Sequence, residues 1–384
     1  VSQIPHVALL IETTRSYGRE LLQGINRYIA ECGPWSVFLE LRALDSRAPS
    51  WLKHWQGDGI LSRTGSQATA EALKQTGLPV VELRATRLQH AFPFVGVDNQ
   101  ALGKLVADHL LERGFRHFGV FRIETEEYFA ERCEKFVLSI HQAGYEVSLF
   151  SPTDDREQPR EWERQQQALA CWLTGLPKPC GVLACTDQLG FWLLDACRRA
   201  GIAVPEEIAI VGVENEETLC SMSQPPLSSV QFNARKIGYE AAALLDRMMR
   251  GESPPSPVLL IEPLGIVTRQ SSDVVALEDV ELAAAVTYIR QHAREGLSVK
   301  QLLAAVPISR SSLERKMRRT LGRSPRAEIL RVQLDHVQRL LVETDLSIAA
   351  IATAAGFPYP QHLASLFKRR FGRSPSTYRE EIRK

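Results

Sequence analysis

Two short stretches near the C-terminus put basic and amide side chains on one face of a helix. Ser309-Arg310-Ser311-Ser312-Leu313-Glu314-Arg315-Lys316-Met317-Arg318-Arg319 places Leu313 and Met317 on one side, with Arg310, Ser311 and Arg315 on the other. Pro360-Gln361-His362-Leu363-Ala364-Ser365-Leu366-Phe367-Lys368 turns Leu363, Leu366 and Phe367 inward and presents Gln361, His362, Ser365 and Lys368. A guanidinium pairs bidentately with a guanine edge and a glutamine amide with adenine, while Lys, Ser and Arg near helix ends equally hold phosphate. An outward face of this kind, on the second helix of a helix-turn-helix, fits a major groove roughly 12 Å wide. Double-stranded DNA is the expected partner. A helical dimerisation module with a solvated basic face is the alternative.

The two stretches belong to an internal duplication. Leu297-Ser298-Val299…Leu302…Ala305 is echoed by Leu346-Ser347-Ile348…Ile351…Ala354, and Leu313…Gly322-Arg323-Ser324-Pro325 by Leu363…Gly372-Arg373-Ser374-Pro375. Each copy reads as a short helix, a turn, a longer basic helix and a stop. Ser298 and Ser347 suit N-caps, and each Ser-Pro pair supplies an N-cap followed by proline at the first helical position. Pro325–Val342 then reads as a connecting helix, roughly 27 Å long at 1.5 Å per residue. Charge separates at the same place. The whole chain carries only +1, yet from Leu277 onward 19 Lys and Arg face 11 Asp and Glu, hence +8; the preceding residues hold 27 against 34, hence −7. A basic tail on an acidic body confines the nucleic-acid expectation to the tail.

Ahead of the tail, β-branched runs alternate with amphipathic helices. Val7–Glu12, Ser36–Leu41, Asp58–Ser62, Pro79–Leu83 and Val95–Asp98 read as one set of strands; His117–Arg122, Glu146–Phe150, Gly181–Thr186 and Ile208–Val213 read as a second. Helices are expected at Ser16–Ala30, Ala68–Gln75, Gln100–Arg113, Phe129–Gln142, Glu161–Leu173, Leu189–Arg199 and Ala234–Arg250. Apolar strands separated by helices imply parallel sheets covered on both faces, and two such sets imply two α/β lobes with a ligand cleft at the strands' C-terminal ends. After the turn-rich Gly251-Glu252-Ser253-Pro254-Pro255-Ser256-Pro257, Val258–Ile261 and Gly265–Thr268 still read as strands. The expected division is therefore a sensor at 1–270, a linker at 271–277 and an all-α domain with two helix-turn-helix motifs at 278–384.

Other classes find little support. At 384 residues and 44% apolar composition, the chain suits two or three folded domains. No GxGxxG, GxSxG or HExxH occurs, and Gly96…Gly103-Lys104-Leu105 has six intervening residues where a phosphate loop has four. An enzyme is not expected, nor a cofactor. The seven cysteines show no CxxC spacing and read as reduced core thiols. The nine histidines lack metal spacing, so no metal site is expected either. No apolar stretch reaches 18 residues, and Val1-Ser2-Gln3-Ile4-Pro5 lacks a basic leader or cleavage site, so a cytoplasmic protein without a membrane partner is expected.

The duplicated module resembles the AraC-type DNA-binding domain. Ile308-Ser309-Arg310-Ser311-Ser312-Leu313-Glu314-Arg315 matches that family's first recognition helix, where the resemblance implies base reading from Ser311, Glu314 and Arg315. Gly356-Phe357, Gln361, Leu363, Phe367-Lys368 and Gly372…Ser374-Pro375 match the second. Pro360 departs from the family pattern, which often has a polar base-reading residue there. The preceding part resembles the ligand-binding half of LacI/GalR regulators and periplasmic sugar-binding proteins, through Val97-Asp98-Asn99…Gly103…His109-Leu110…Gly114, Ala184-Cys185-Thr186-Asp187-Gln188 and the run from Gly201 to Asn215. A LacI-like sensor ahead of an AraC-like reader, with Tyr17-Gly18-Arg19 and Glu214-Asn215-Glu216-Glu217, is similar to the family of xylose operon regulators.

Sugars are held by planar Arg, Asp, Glu and Asn groups that pair with adjacent hydroxyls, and by an aromatic face. The resemblance places Tyr17, Arg19, Asp98, Arg132, Thr186, Asp187, Glu214 and Asn215 at ligand positions, with Tyr128 or Phe129 as the stacking ring. Asp187 could instead merely cap the helix that follows it. Glu214 stands where many relatives have Asp, and the extra methylene leaves the sugar's identity open. The resemblance implies a D-xylose-dependent activator, a homodimer on operator repeats that recruits RNA polymerase. The alternatives are the same architecture tuned to arabinose, rhamnose or a hexose, and a solute-binding protein with an incidental helical tail. The operator sequence, the dimer surface and the sign of regulation are not legible in the sequence.

Overall fold

A computed structural model describes residues 4–43, 46–63, 66–84, 92–123, 127–152, 159–253, 256–273 and 279–383. The chain divides into two compact units, Val1–Val274 and Val275–Lys384. In the first, β1 (His6–Leu10) leads to α1 (Ser16–Cys32), then β2 (Ser36–Leu39), β3 (Gly59–Ser62), α2 (Gln67–Gln75), β4 (Val80–Glu82) and β5 (Phe94–Val97). α3 (Asn99–Glu112) crosses to a second lobe of β6 (His117–Phe121), α4 (Glu127–Gln142), β7 (Val147–Phe150), α5 (Pro159–Gly175), β8 (Cys180–Ala184), α6 (Asp187–Arg199), β9 (Ile208–Glu214), α7 (Glu217–Met222) and β10 (Ser228–Gln231). α8 (Ala234–Met249) returns to the first lobe for β11 (Val258–Ile261), and the chain crosses once more for β12 (Gly265–Val267).

The sheets have the orders β11-β5-β4-β3-β1-β2 and β12-β10-β9-β8-β6-β7. Central strands such as β3 and β8 are buried along their whole length, as expected for strands covered on both faces. β12 differs from the all-parallel expectation: it pairs antiparallel with β10, because only a short turn separates β11 from its entry into the second sheet. β10 itself escaped the sequence reading, since Ser228-Ser229-Val230-Gln231 lacks the apolar run that marks a buried strand. Ser66, Asp98, Thr186 and Asn233 cap α2, α3, α6 and α8 through their side chains, which fixes where each helix starts.

Ser271 and Ser272, read from sequence as linker, are pinned to the first unit. Ser271 Oγ donates to the Ile210 carbonyl at 2.6 Å, and the Ser272 hydroxyl meets His109 Nε2 at 2.9 Å. Residues 274–277 of that linker lie outside the described residues.

The second unit comprises α9 (Val280–His292), α10 (Val299–Ala305), α11 (Arg310–Leu321), α12 (Pro325–Glu343), α13 (Ile348–Ala354), α14 (Pro360–Phe371) and α15 (Pro375–Arg383). It has two cores. Leu282, Ile289, Leu302, Leu313, Met317 and Ile329 form one; Val337, Leu341, Ile351, Leu363, Phe367 and Tyr378 form the other. α12 contributes to both. Between its two apolar stretches, buried Gln333 donates from Nε2 to the Ala293 and Ala355 carbonyls at 3.0 and 3.1 Å, linking a residue of each core. Gly322 and Gly372 end α11 and α14 in left-handed geometry, with φ of 66° and 76°, so both copies stop at the same repeat position.

Candidate functional site

In the first unit, the strand ends and helix starts of both lobes converge on one cavity. Its lining includes Arg15, Tyr17, Arg63, Arg84, Asn99, Arg132, Glu214 and Phe232. A ladder of rings and guanidiniums crosses it. The Arg63 guanidinium lies 4.8 Å from the Tyr17 ring centroid, Tyr17 meets Phe232 edge-on at 5.2 Å, and Arg132 lies 5.4 Å from Phe232. Burial pushes the Tyr17 phenol up to about 12, keeping its hydroxyl protonated as a donor at neutral pH. Behind the cavity, the buried Glu12 carboxylate accepts from Arg63.

Arg132, buried on α4, donates from Nε to Asn99 Oδ1 at 2.8 Å and from Nη1 to the Cys185 carbonyl at 2.7 Å. It reaches that position because α3 and α4 approach at Gly103, where a Cβ would stand 2.5 Å from the Arg132 carbonyl oxygen. Glu214 arrives by a different device. It and Asn215 have φ of 109° and 53°, a conformation costing roughly 1–3 kcal/mol per residue outside glycine. The surroundings hold that turn: Asn215 N–H donates to Ser229 Oγ at 3.0 Å, and Arg269 Nη1 donates to Asn215 Oδ1 at 2.8 Å.

Asp187 stands beneath the same turn and is fully buried. Its Oδ1 accepts from the Ser229 hydroxyl at 2.5 Å and its Oδ2 from the Glu216 N–H at 2.7 Å. The Glu216 carboxylate in turn accepts from the Ser16 N–H and hydroxyl, at 3.0 and 2.5 Å, at the start of α1 in the other lobe. Asp187 thus orients the residue that latches one lobe to the other. Burial above all, helped by the nearby Glu214 charge, pushes its carboxyl up to about 8. The folded chain therefore keeps a proton that the unfolded carboxyl, at 3.8, has already released. This contribution to stability is full below the unfolded value and is lost as pH rises through about 8. Asp187→Asn should flatten the fall in urea midpoint between pH 6 and pH 9; an unchanged slope would show that Asp187 is ionised throughout.

Of the sequence-derived ligand positions, the structure brings Tyr17, Arg132 and Glu214 to the cavity. Arg19 is exposed and donates to the Thr13 carbonyl at 3.0 Å. Asp98 and Thr186 are engaged as helix caps, through Ala101 N–H at 2.8 Å and Leu189 N–H at 3.3 Å; Asn215 is held by Arg269. Phe129 is buried in the second lobe and is not among the lining residues, whose rings are those of Tyr17, Phe94 and Phe232. The Tyr128 side chain lies outside the described residues. Arg63 and Arg84 were missed, although a charged residue directly after an apolar strand, at the sheet's C-terminal edge, is a usable signal. Phe232 gave no signal because the strand before it was not recognised.

In the second unit, Ser309, Arg310, Ser311 and Arg315 are exposed on α11 or its cap, whereas Ser312 and Glu314 are half-buried. Gln361, His362, Ser365 and Lys368 are exposed on α14. Arg310 Nε pairs with Glu314 at 3.3 Å, and Ser309 Oγ accepts from the Ser312 N–H at 3.3 Å. Lys316 turns the other way, to Asp279 and Glu281 at 2.7 Å each. Pro360 occupies the first turn of α14, where proline removes no helical hydrogen bond.

Three family models match: the XylR N-terminal domain over residues 6–100, the periplasmic binding protein-like domain over 107–272 and a helix-turn-helix domain over 302–381. The xylose operon regulatory protein of Escherichia coli (strain K12) is 32% identical over 383 residues, covering 97% of this chain and 96% of the relative. The chain belongs to the xylose operon regulator family. The Haemophilus influenzae member is 31% identical over 382 residues, covering 97% of each. A solved structure described as the xylose-binding transcription activator XylR superposes with a TM-score of 0.76 at 30% identity, covering 99% of this chain and 98% of that one. The transcriptional regulator CelR bound to cellobiose shares the fold of the first unit, with a TM-score of 0.57 at 22% identity over 71% of this chain and 86% of that one. Like its relatives, this family member is a sugar-sensing, DNA-binding transcriptional regulator and not an enzyme. Among the described residues, no helix is long and apolar enough to cross a membrane.

Proposed function

We propose that this regulator binds a monosaccharide in the cavity between its lobes and converts occupancy into altered affinity for operator repeats. The observation that carries the reading is the convergence of Tyr17, Arg132, Glu214 and Phe232 on one cavity, in a chain that also presents two outward recognition faces. D-xylose is the neutral candidate, since the relatives' names point to it. The sensor lies in the first compact unit, up to Val274, and the reader in the second, from Val275. The protein acts in the cytoplasm as a homodimer and activates transcription by recruiting RNA polymerase; the family's architecture supports these roles.

The cavity has a free volume of about 40 Å³, room for about three ordered waters. A pyranose needs more, so binding must move lining side chains or one lobe against the other. A ligand that favours one of two lobe arrangements shifts the population only by its difference in affinity for them. D-xylose is therefore expected to change affinity for the protein's own promoter DNA by about 5- to 150-fold, the usual range of allosteric coupling. Fluorescence anisotropy at fixed salt, with run-off transcription and sedimentation for the dimer, checks this. A sugar panel that binds but leaves both DNA affinity and transcription unchanged would break the coupling.

A further inference from the structure

The chain leaves the sensor through Arg269-Gln270-Ser271-Ser272-Asp273, which follows β12. This exit segment is held by elements that also reach the cavity. Buried Arg269 donates from Nη1 to Asn215 Oδ1 at 2.8 Å and to the Leu227 carbonyl at 3.0 Å, and from Nη2 to Glu217 Oε2 at 2.8 Å. Asn215 shares its positive-φ turn with Glu214, so Arg269 backs the turn that brings a carboxylate to the cavity. The main chain of Arg269 is fixed as well: the Ser228 hydroxyl donates to its carbonyl and accepts from its N–H, both at 2.8 Å.

Ser271 and Ser272 continue the pattern, and both are fully buried. Besides its bond to the Ile210 carbonyl, Ser271 Oγ accepts from the Ser228 N–H at 2.8 Å, and the Ile210 N–H donates to the Ser271 carbonyl at 2.8 Å. Ile210 lies on β9 with Glu214 at its far end, roughly 13 Å along an extended strand. Ser272 is held by α3: its hydroxyl meets His109 Nε2, and its carbonyl accepts from Arg113 Nε at 3.1 Å. The first residue of α3 is Asn99, which lines the cavity roughly 15 Å along the helix from His109. β9 and α3 therefore each touch the cavity at one end and grip the exit segment further along. Packed interiors pass a displacement on instead of absorbing it, and rigid elements are what carry it between distant sites. The exit segment continues through 274–278 to Asp279, the cap of α9 in the second unit.

We propose that residues 269–273 carry ligand occupancy from the sensor to the reader: a sugar that moves Asn99 or the Glu214 turn shifts this segment through α3 and β9. Arg269 is then a positioning residue for the Glu214 turn, and the hold of His109 and Arg113 on Ser272 is the joint through which α3 acts. The inference rests on the reading of this cavity as the sugar site and deepens it by naming the route by which occupancy leaves the sensor.

The test uses the full chain with whichever of D-xylose, L-arabinose, L-rhamnose and D-glucose binds it. Arg113→Ala combined with Ser272→Ala removes the joint between α3 and the exit segment without altering a lining residue. Sugar affinity by isothermal titration should stay within about three-fold of the parent. The sugar-induced change in affinity for promoter DNA, about 5- to 150-fold in the parent, should fall to about two-fold or less. A folded variant that keeps a larger response would overturn the inference and leave the sugar site standing. A loss of sugar affinity beyond about three-fold would also overturn it, because the joint would then belong to the binding site itself. Hydrogen exchange on the parent needs no variant, so a folding defect leaves the test intact: sugar should change protection of the Ile210 and Ser271 amides by about three-fold or more, and unchanged protection would overturn the inference. A parent that binds none of the four sugars, or binds one with no DNA response, would remove the proposed function and this inference together.

Discussion

Arg132→Ala should lower ligand affinity by about 100-fold while leaving ligand-free DNA binding within a few-fold of the parent. Arg132 lines the cavity, fixes the Asn99 amide through Nε and covers the Cys185 carbonyl through Nη1. Hydrogen bonds to charged groups contribute about 1.5–3 kcal/mol each, and every 1.4 kcal/mol is a factor of ten in affinity. Losing the direct contact and the orientation of Asn99 together accounts for about two factors of ten. Arg132→Lys keeps the charge but not the fork that reaches two partners, so an intermediate loss is expected. Titration calorimetry with the ligand that binds the parent measures this, with circular dichroism to confirm the fold. A folded Arg132→Ala protein that binds within three-fold of the parent would remove Arg132 from the site.

The second large effect is expected at the DNA face. Neutralising Arg310, Arg315 and Lys368 together should weaken operator binding by 100-fold or more near 100 mM salt. It should also make the dependence of log affinity on log salt shallower by up to about 2.7, at roughly 0.9 for each phosphate that the protein no longer neutralises. The three residues are not equivalent. Arg310 is already paired with Glu314, so part of its charge is answered within the helix, whereas Arg315 and Lys368 are exposed on the outward faces of α11 and α14. Arg315→Ala should therefore cost more than Arg310→Ala. If Arg315 reads a base, preference at one operator position relaxes by about 1–3 kcal/mol. If it holds phosphate, affinity drops uniformly across sequences. Binding isotherms on an operator and its single-base variants separate the two, and an unchanged salt slope in the triple variant would place the DNA face elsewhere.

Much of the architecture was legible in the chain because its signals are local. Strand and helix periods in the first 270 residues follow from which side chains must leave water, and all but one short strand of the two sheets was anticipated. The duplication was plainer still. Ser298, Ser324 and Ser347 cap helices where the repeat places them, and both copies end at a left-handed glycine. The outward residues of α11 and α14 followed from helical spacing alone, since Leu313 and Met317, or Leu363 and Phe367, leave one face for solvent. Lys316 shows the limit of that argument. It sits on a basic helix, yet it points to Asp279 and Glu281 at the start of α9, 35 or more residues away.

The cavity was less legible. Resemblance nominated nine ligand positions; of the eight whose side chains are described, three line it. Asp98 and Asn99 are neighbours of similar chemistry, but the α3 start assigns one to capping and the other to the wall. Asp187 looks like a ligand group and instead lies fully buried, orienting Glu216 toward the opposite lobe. Arg63, Arg84 and Phe232 come from three separate segments. The sequence by itself determined the two-lobed α/β sensor, the duplicated reader and the charge that separates them, because periodicity, capping and net charge depend on neighbours along the chain. Only the tertiary structure decided which polar groups face the cavity, because that depends on how far each strand runs, on two residues held at positive φ, and on contacts between segments some 200 residues apart such as Ser16 and Glu216.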